Sequence, residues 1–114
     1  MPRSILFYRG YFLDFYNAQL PNVRKKIDWT IGLLRDLPSI PEKYFKHLEG
    51  TEGLFELRVK ISTNIFRIFC FFDEGNLVVL INGFQKKTDK TPKNELERAK
   101  QLQREYYHEK HNNV

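Results

Sequence analysis

With a single cysteine, Cys70, the chain has no partner for an intrachain disulfide, so the fold uses no such staple and suits a reducing compartment. Cys70 lies inside an apolar run, where a thiol serves as a small hydrophobe. No apolar stretch approaches the roughly 18–20 residues that span a bilayer, and the N-terminus alternates polar and apolar too quickly for a signal peptide. These absences predict a soluble, cytoplasmic protein. The glycines number only 6, and none are grouped into a phosphate-cradling loop. His47, His108 and His111 have no metal-ligand spacing, and no Ser-His-Asp pattern stands out, so no metal site is expected.

Acidic residues are the minority charge, 14 against 19 Lys and Arg, for a formal charge of +5. That balance favours a polyanion, an acidic protein or an anionic membrane surface as partner and leaves the fold open. A hydrophobic share of 41% and an aromatic share of 15% supply a core and exclude wholesale disorder. At 114 residues the chain has room for one domain, expected over 1–114 with a polar tail frayed from His108 onward.

Ser4 to Tyr8 reads as a short strand, broken by Gly10 and followed by a helical stretch to about Leu20. Pro21 suits the first turn of a second helix. There Val23, Ile27, Ile31, Leu34 and Leu37 form one apolar stripe, with Arg24, Lys25 and Lys26 largely off it. Pro38 and Pro41 close that helix, and residues 42–53 read as a connection. The period then changes to two. Phe55, Leu57, Val59 and Ile61 alternate with Glu56, Arg58 and Lys60, a half-buried strand. A second strand runs from Ile65 to about Phe72. Asp73-Glu74-Gly75-Asn76 turns the chain into a third, Leu77 to Phe84, apolar on both faces and therefore central. Thr91 as N-cap and Pro92 at the first position open a last helix, whose inner face is Leu96, Ala99, Leu102 and Tyr106. The class is α+β, a small antiparallel sheet flanked by helices in the order β-α-α-β-β-β-α.

A hairpin turning at Ser62-Thr63 places Phe55, Leu57 and Val59 opposite Cys70, Ile68 and Phe66 on one face. Arg58 then opposes Arg67 on the other, because a slip of one residue would put charges among the aromatics. Centring the next hairpin on Glu74-Gly75 sets Arg67 opposite Asn82, with Asn82, Phe84 and Lys86 on its face. Like charges opposed across a sheet repel, an arrangement that makes sense with an anion between them. The competing reading is that Glu56 and Glu52 neutralise the arginines on a merely solvated face. Lys86, Lys87 and Lys90 add a second basic group after the third strand.

The runs GLFELRVKISTNIFRIFCFF, VVLINGFQKKTDKTP and NELERAKQLQREYY resemble the phage Gp49-like and HigB-like branch of the RelE/ParE toxin superfamily. The matching elements are Glu56-Leu57-Arg58, Arg67-Ile68-Phe69, Gly83 to Pro92, and Glu95 with Ala99, and the clear match covers roughly residues 53–107. The resemblance implies a toxin paired with an antitoxin, often a helix-turn-helix DNA-binding protein. It also implies cleavage of mRNA in the ribosomal A site, with the ribosome required and no small cofactor. By strand position it implies catalytic roles for Arg58, Lys60 and Arg67 and for a further basic residue, Lys86 or Lys87. Lys87, Lys90, Asn82 and Phe84 are the implied RNA contacts. Attack by a ribose 2′-hydroxyl would draw on Arg58 and Arg67 for charge stabilisation and on Lys60 or Lys86 as proton carrier. The chain departs from members that place a histidine or C-terminal tyrosine at the site, and Tyr106 and Tyr107 read as packing residues. A ParE-like DNA gyrase inhibitor, or a non-catalytic phage-derived interaction protein, would share the fold.

Overall fold

The alternating segment after residue 53 forms the spine of the sheet. The structure, a computed structural model describing residues 2–112, runs β1 (Ser4–Phe7), α1 (Tyr11–Asn17), α2 (Pro21–Asp36), β2 (Phe45–His47), β3 (Leu54–Ile61), β4 (Asn64–Asp73), β5 (Leu77–Lys86) and α3 (Lys93–Asn112). The strands form one sheet in the order β1-β5-β4-β3-β2, and β5 is interior as its apolar faces predict. Pairing is antiparallel except at the edge, where β1 lies parallel to β5. The sheet is therefore mixed, within the α+β class read from the sequence. The direction of an edge strand so distant in sequence is set by the packing of the intervening helices, and no local pattern carries it.

The segment read as a connection contains β2. Its three residues pair Phe45 with Leu57 and His47 with Phe55, and the Phe45 ring stacks on Phe55 at 4.5 Å. So short a strand offers too few positions to show a period. Helix α1 stops at Asn17, short of Leu20, because the N–H of Ala18 turns back to Phe15 O. At α3 the cap also differs. The Pro92 carbonyl accepts from Glu95 and Leu96, while Thr91 turns its hydroxyl to Glu56 Oε2, 2.9 Å away. The expected fraying after His108 is corrected as far as Asn112. Helix α3 continues there because Lys110 bonds Asp73 at 2.8 Å. Residues 113–114 of that expectation lie outside the described residues.

Each sheet face carries its own apolar layer. On one, Phe12 of α1 and Val23, Ile27 and Leu34 of α2 cover Leu57, Val59, Ile68 and Leu80. On the other, Ala99 and Leu102 of α3 cover Leu54, Phe69, Phe71 and Ile81. Cys70 is fully buried in the first layer, and burial pushes its thiol far above the usual range, so it packs as a hydrophobe and is no nucleophile. Among the described residues no helix is long and apolar enough to cross a membrane.

Candidate active site

The β3–β4 register follows the alternation residue by residue, with Leu57 opposite Ile68, Arg58 opposite Arg67 and Lys60 opposite Ile65. Keeping the apolar set on the α1–α2 side forces Glu56, Arg58 and Lys60 onto the α3 side. The β4–β5 register differs from expectation: Arg67 lies opposite Phe84, not Asn82. Two irregularities cause this. Asp73 pairs with Leu77, so the turn takes three residues, with Glu74 and Gly75 at φ 44° and 64°. Between the Ile68–Gly83 and Cys70–Leu80 pairs, β5 carries one extra residue, a bulge. Two shifts of one residue preserve the face, so Phe84 and Lys86 still lie on Arg67's side.

The α3 face thus presents successive rows: Glu56 beside Phe69, then Arg58, Arg67 and Phe84, then Lys60, Ile65 and Lys86. Helix α3 starts beside the bulge, where Asn82 Nδ2 donates to Glu95 O at 3.3 Å. Arg67 is buried, with 6% of its surface exposed. Its Nη1 donates to Phe66 O at 3.2 Å, and its Nε lies 3.7 Å from Glu56 Oε1, beyond hydrogen-bonding range. Both Arg67 Nε and Arg58 Nε are buried, and neither has a hydrogen-bond acceptor among the described residues. Burial, then the Arg58 charge, pushes the Arg67 pKa down, opposed by Glu56. Arginine nonetheless stays protonated, so the charge persists.

These groups open into a cleft of about 490 Å³, lined by Arg58, Lys60 and Arg67 from the sheet and Lys26, Lys43 and Tyr44 from the helical side. The cleft straddles the β3 edge just past Arg58, whose N–H meets Tyr44 O at 2.7 Å as the last tie to the β2 segment. Its size falls within the roughly 300–1,000 Å³ of ligand sites. Buried cationic donors without acceptors, facing a cleft ringed by lysines, can bind a phosphate and hold charge as it develops.

The sequence-predicted residues divide into three groups. Arg58, Lys60 and Arg67 share the cleft. Lys86 is half-buried one row beyond Arg67 and does not line it, while Lys87 and Lys90 are exposed on the segment leading to α3. Asn82 and Phe84 are placed beneath the surface. Asn82 donates to Glu95, and Phe84 stacks on Phe69 at 5.5 Å, so these two support the strands and present no ring or amide to a ligand in this conformation. Tyr106 and Tyr107 are packed at the other end of the sheet, where Tyr106 donates to Asp73 Oδ2 at 2.6 Å. Sequence reasoning missed Lys26, Lys43 and Tyr44. Position off the α2 stripe marked Lys26 as exposed but gave no partner, and the other two lay in the apparent connection. Among the described residues no cluster suited to a metal ion occurs.

The family profile described as phage-derived protein Gp49-like matches residues 14–104. No curated protein matches the sequence. Among solved structures, the archaeal RelE-RelB complex from Pyrococcus horikoshii OT3 contains a chain of similar fold, with a TM-score of 0.51 and 13% identity. The similarity covers 73% of this chain and 93% of that one.

Proposed function

The chain belongs to the phage-derived Gp49-like family, and from that premise we propose that it is a RelE-like toxin of a toxin–antitoxin pair and cuts messenger RNA on the ribosome. The observation that carries this reading is the facing pair Arg58 and Arg67, each with a buried, unpartnered Nε–H at one cleft. A site with no phosphate to bind would leave two desolvated donors unsatisfied, at about 1–3 kcal/mol each.

In this mechanism the ribose 2′-hydroxyl attacks the adjacent phosphorus. The new O2′–P bond forms as the P–O5′ bond breaks, leaving a 2′,3′-cyclic phosphate and a 5′-hydroxyl. Arg58 and Arg67 stabilise the extra negative charge of the five-coordinate phosphorus, worth about 3–4 kcal/mol per well-placed donor. Lys60, in the same cleft, delivers a proton to the leaving 5′ oxygen, with Lys86 in the neighbouring row as the other candidate donor, while the 2′-hydroxyl proton passes to solvent water. The ribosome supplies the substrate conformation in the A site. The partner is an antitoxin, expected to cover the basic cleft or the helical layer with acidic and apolar residues.

The test is cleavage of a defined mRNA on programmed ribosomes, mapped by primer extension, with wild type and Arg67→Ala compared. The expected result is a ribosome-dependent A-site cut that the substitution abolishes. A wild-type protein that cuts nothing, with or without ribosomes, overturns the nuclease reading and directs the next assay to DNA gyrase.

A further inference from the structure

Trp29 is the only tryptophan of the chain, and 47% of its surface is exposed. Packing does not account for it, because the buried stripe of α2 is Val23, Ile27, Thr30 and Leu34. Its ring meets Tyr44 nearly edge-on, at 5.5 Å and 77°, and its exposure leaves indole surface available to a further partner. Both rings carry a cation. Lys26 Nζ sits 4.2 Å from the Trp29 centroid, and Lys43 Nζ sits 5.5 Å from that of Tyr44. Lys26, Lys43 and Tyr44 also line the cleft that holds Arg58 and Arg67. Tyr44 therefore stands in the wall of the arginine cleft with Trp29 against it, and Lys26 and Lys43 connect the two.

We propose that Trp29 and Tyr44 form a stacking subsite for a base of single-stranded RNA next to the nucleotide held at Arg58 and Arg67, with Lys26 and Lys43 on the flanking phosphates. The inference rests on the reading of the arginine pair as the scissile-phosphate site. A single strand alternates phosphates with flat, unpaired bases, and this surface alternates cations with aromatic faces. That is the combination by which sequence-tolerant single-strand sites hold their ligand. A protein partner is less suited to it, since lysine is depleted where protein interfaces bury their core.

With one tryptophan, intrinsic emission reads this subsite alone. The experiment titrates the protein with a hexa-adenylate RNA while following tryptophan emission, and measures affinity by anisotropy of the same RNA carrying a dye. Tripolyphosphate serves as a ligand with charge and no base. RNA is expected to quench Trp29 and tripolyphosphate to leave it unchanged. Trp29→Ala should weaken RNA binding about tenfold with unaltered circular dichroism. Unmoved emission under saturating RNA, equal affinity in Trp29→Ala, or no binding of the hexamer each overturns the subsite. Loss of a co-purifying protein partner from Trp29→Ala at unchanged RNA affinity overturns it in favour of a protein interface. The arginine pair is read separately, by the effect of Arg67→Ala on ribosomal cleavage, so a failed subsite beside an abolished ribosomal cut leaves the reading of that pair standing.

Discussion

Arg58 stands directly opposite Arg67 across β3 and β4, and each keeps a buried Nε–H without an acceptor among the described residues. In the unliganded protein this pair opposes stability, through like-charge contact worth about 0.2–1 kcal/mol and through unsatisfied donors. Arg58→Met keeps the apolar stem, removes the repulsion and leaves the Arg67–Glu56 approach intact. The urea midpoint should rise by the equivalent of about 1 kcal/mol while cleavage on ribosomes falls at least about a hundredfold. A midpoint that falls would mean that the pair carries no strain for an anion to relieve.

Gly83 sits where the backbone of β5 passes under the Phe15 ring of α1. A Cβ there would lie 2.6 Å from the nearest ring atom, and the neighbouring ring atoms are at 2.8 and 2.9 Å. The requirement is for close approach, since the φ of Gly83 is not in the left-handed region. Gly83→Ala should lower stability by about 1–3 kcal/mol through overpacking. In the double variant with Phe15→Ala, the added methyl should cost much less than it does alone. Additive losses in chemical denaturation would refute this account of the contact.

That glycine marks the boundary of what the sequence revealed. Its place before Phe84 was legible as a motif, but its reason, a ring from α1, is tertiary. The β3–β4 register was legible pair by pair, because only one alignment keeps Glu56, Arg58 and Lys60 out of an aromatic layer. The β4–β5 register was not, because a bulge and a three-residue turn leave no trace in the alternation. Arg58, Lys60 and Arg67 were found together for the first reason. Lys26, Lys43 and Tyr44 were not found, since α2 and the segment before β3 reach the arginine cleft only through packing.

Asp73 ties the end of α3 to the β4–β5 turn. Burial alone would push its carboxyl up, but hydrogen bonds from Lys110 and Tyr106 outweigh this and hold it below the usual range. A carboxyl lowered on folding contributes stability above its unfolded pKa of about 4 and loses it as the pH falls through the folded value. Tyr106 moves the other way, pushed up to about 12 by burial and then by its bond to Asp73. Its contribution is complete below about pH 10 and is lost as the pH rises toward the folded value. Asp73→Asn should therefore cost about 1–3 kcal/mol at pH 7 and progressively less as the pH falls from 4 to 2. Urea midpoints at pH 7 and 2 measure this. An equal deficit at both values would show that Asp73 does not titrate with the fold.

Among the described residues Glu56 is the only carboxylate beside Arg67 and is itself buried, with Oε2 accepting from Thr91 and Oε1 at 3.7 Å from Arg67 Nε. Glu56→Gln preserves shape and the Thr91 contact but leaves two neighbouring guanidinium groups without their counter-charge. Removing one partner of a buried pair costs about 3 kcal/mol, and the midpoint should drop accordingly. An anion that binds only the folded protein restores stability in proportion to its occupancy of the site. Added phosphate should therefore raise the thermal midpoint of Glu56→Gln more than that of wild type, since the variant offers the anion a site with one less negative charge. Arg58→Met should weaken the response, because it removes half of the arginine pair. If phosphate moves all three proteins equally, it acts by exclusion from the whole surface, and the arginine pair is not an anion site.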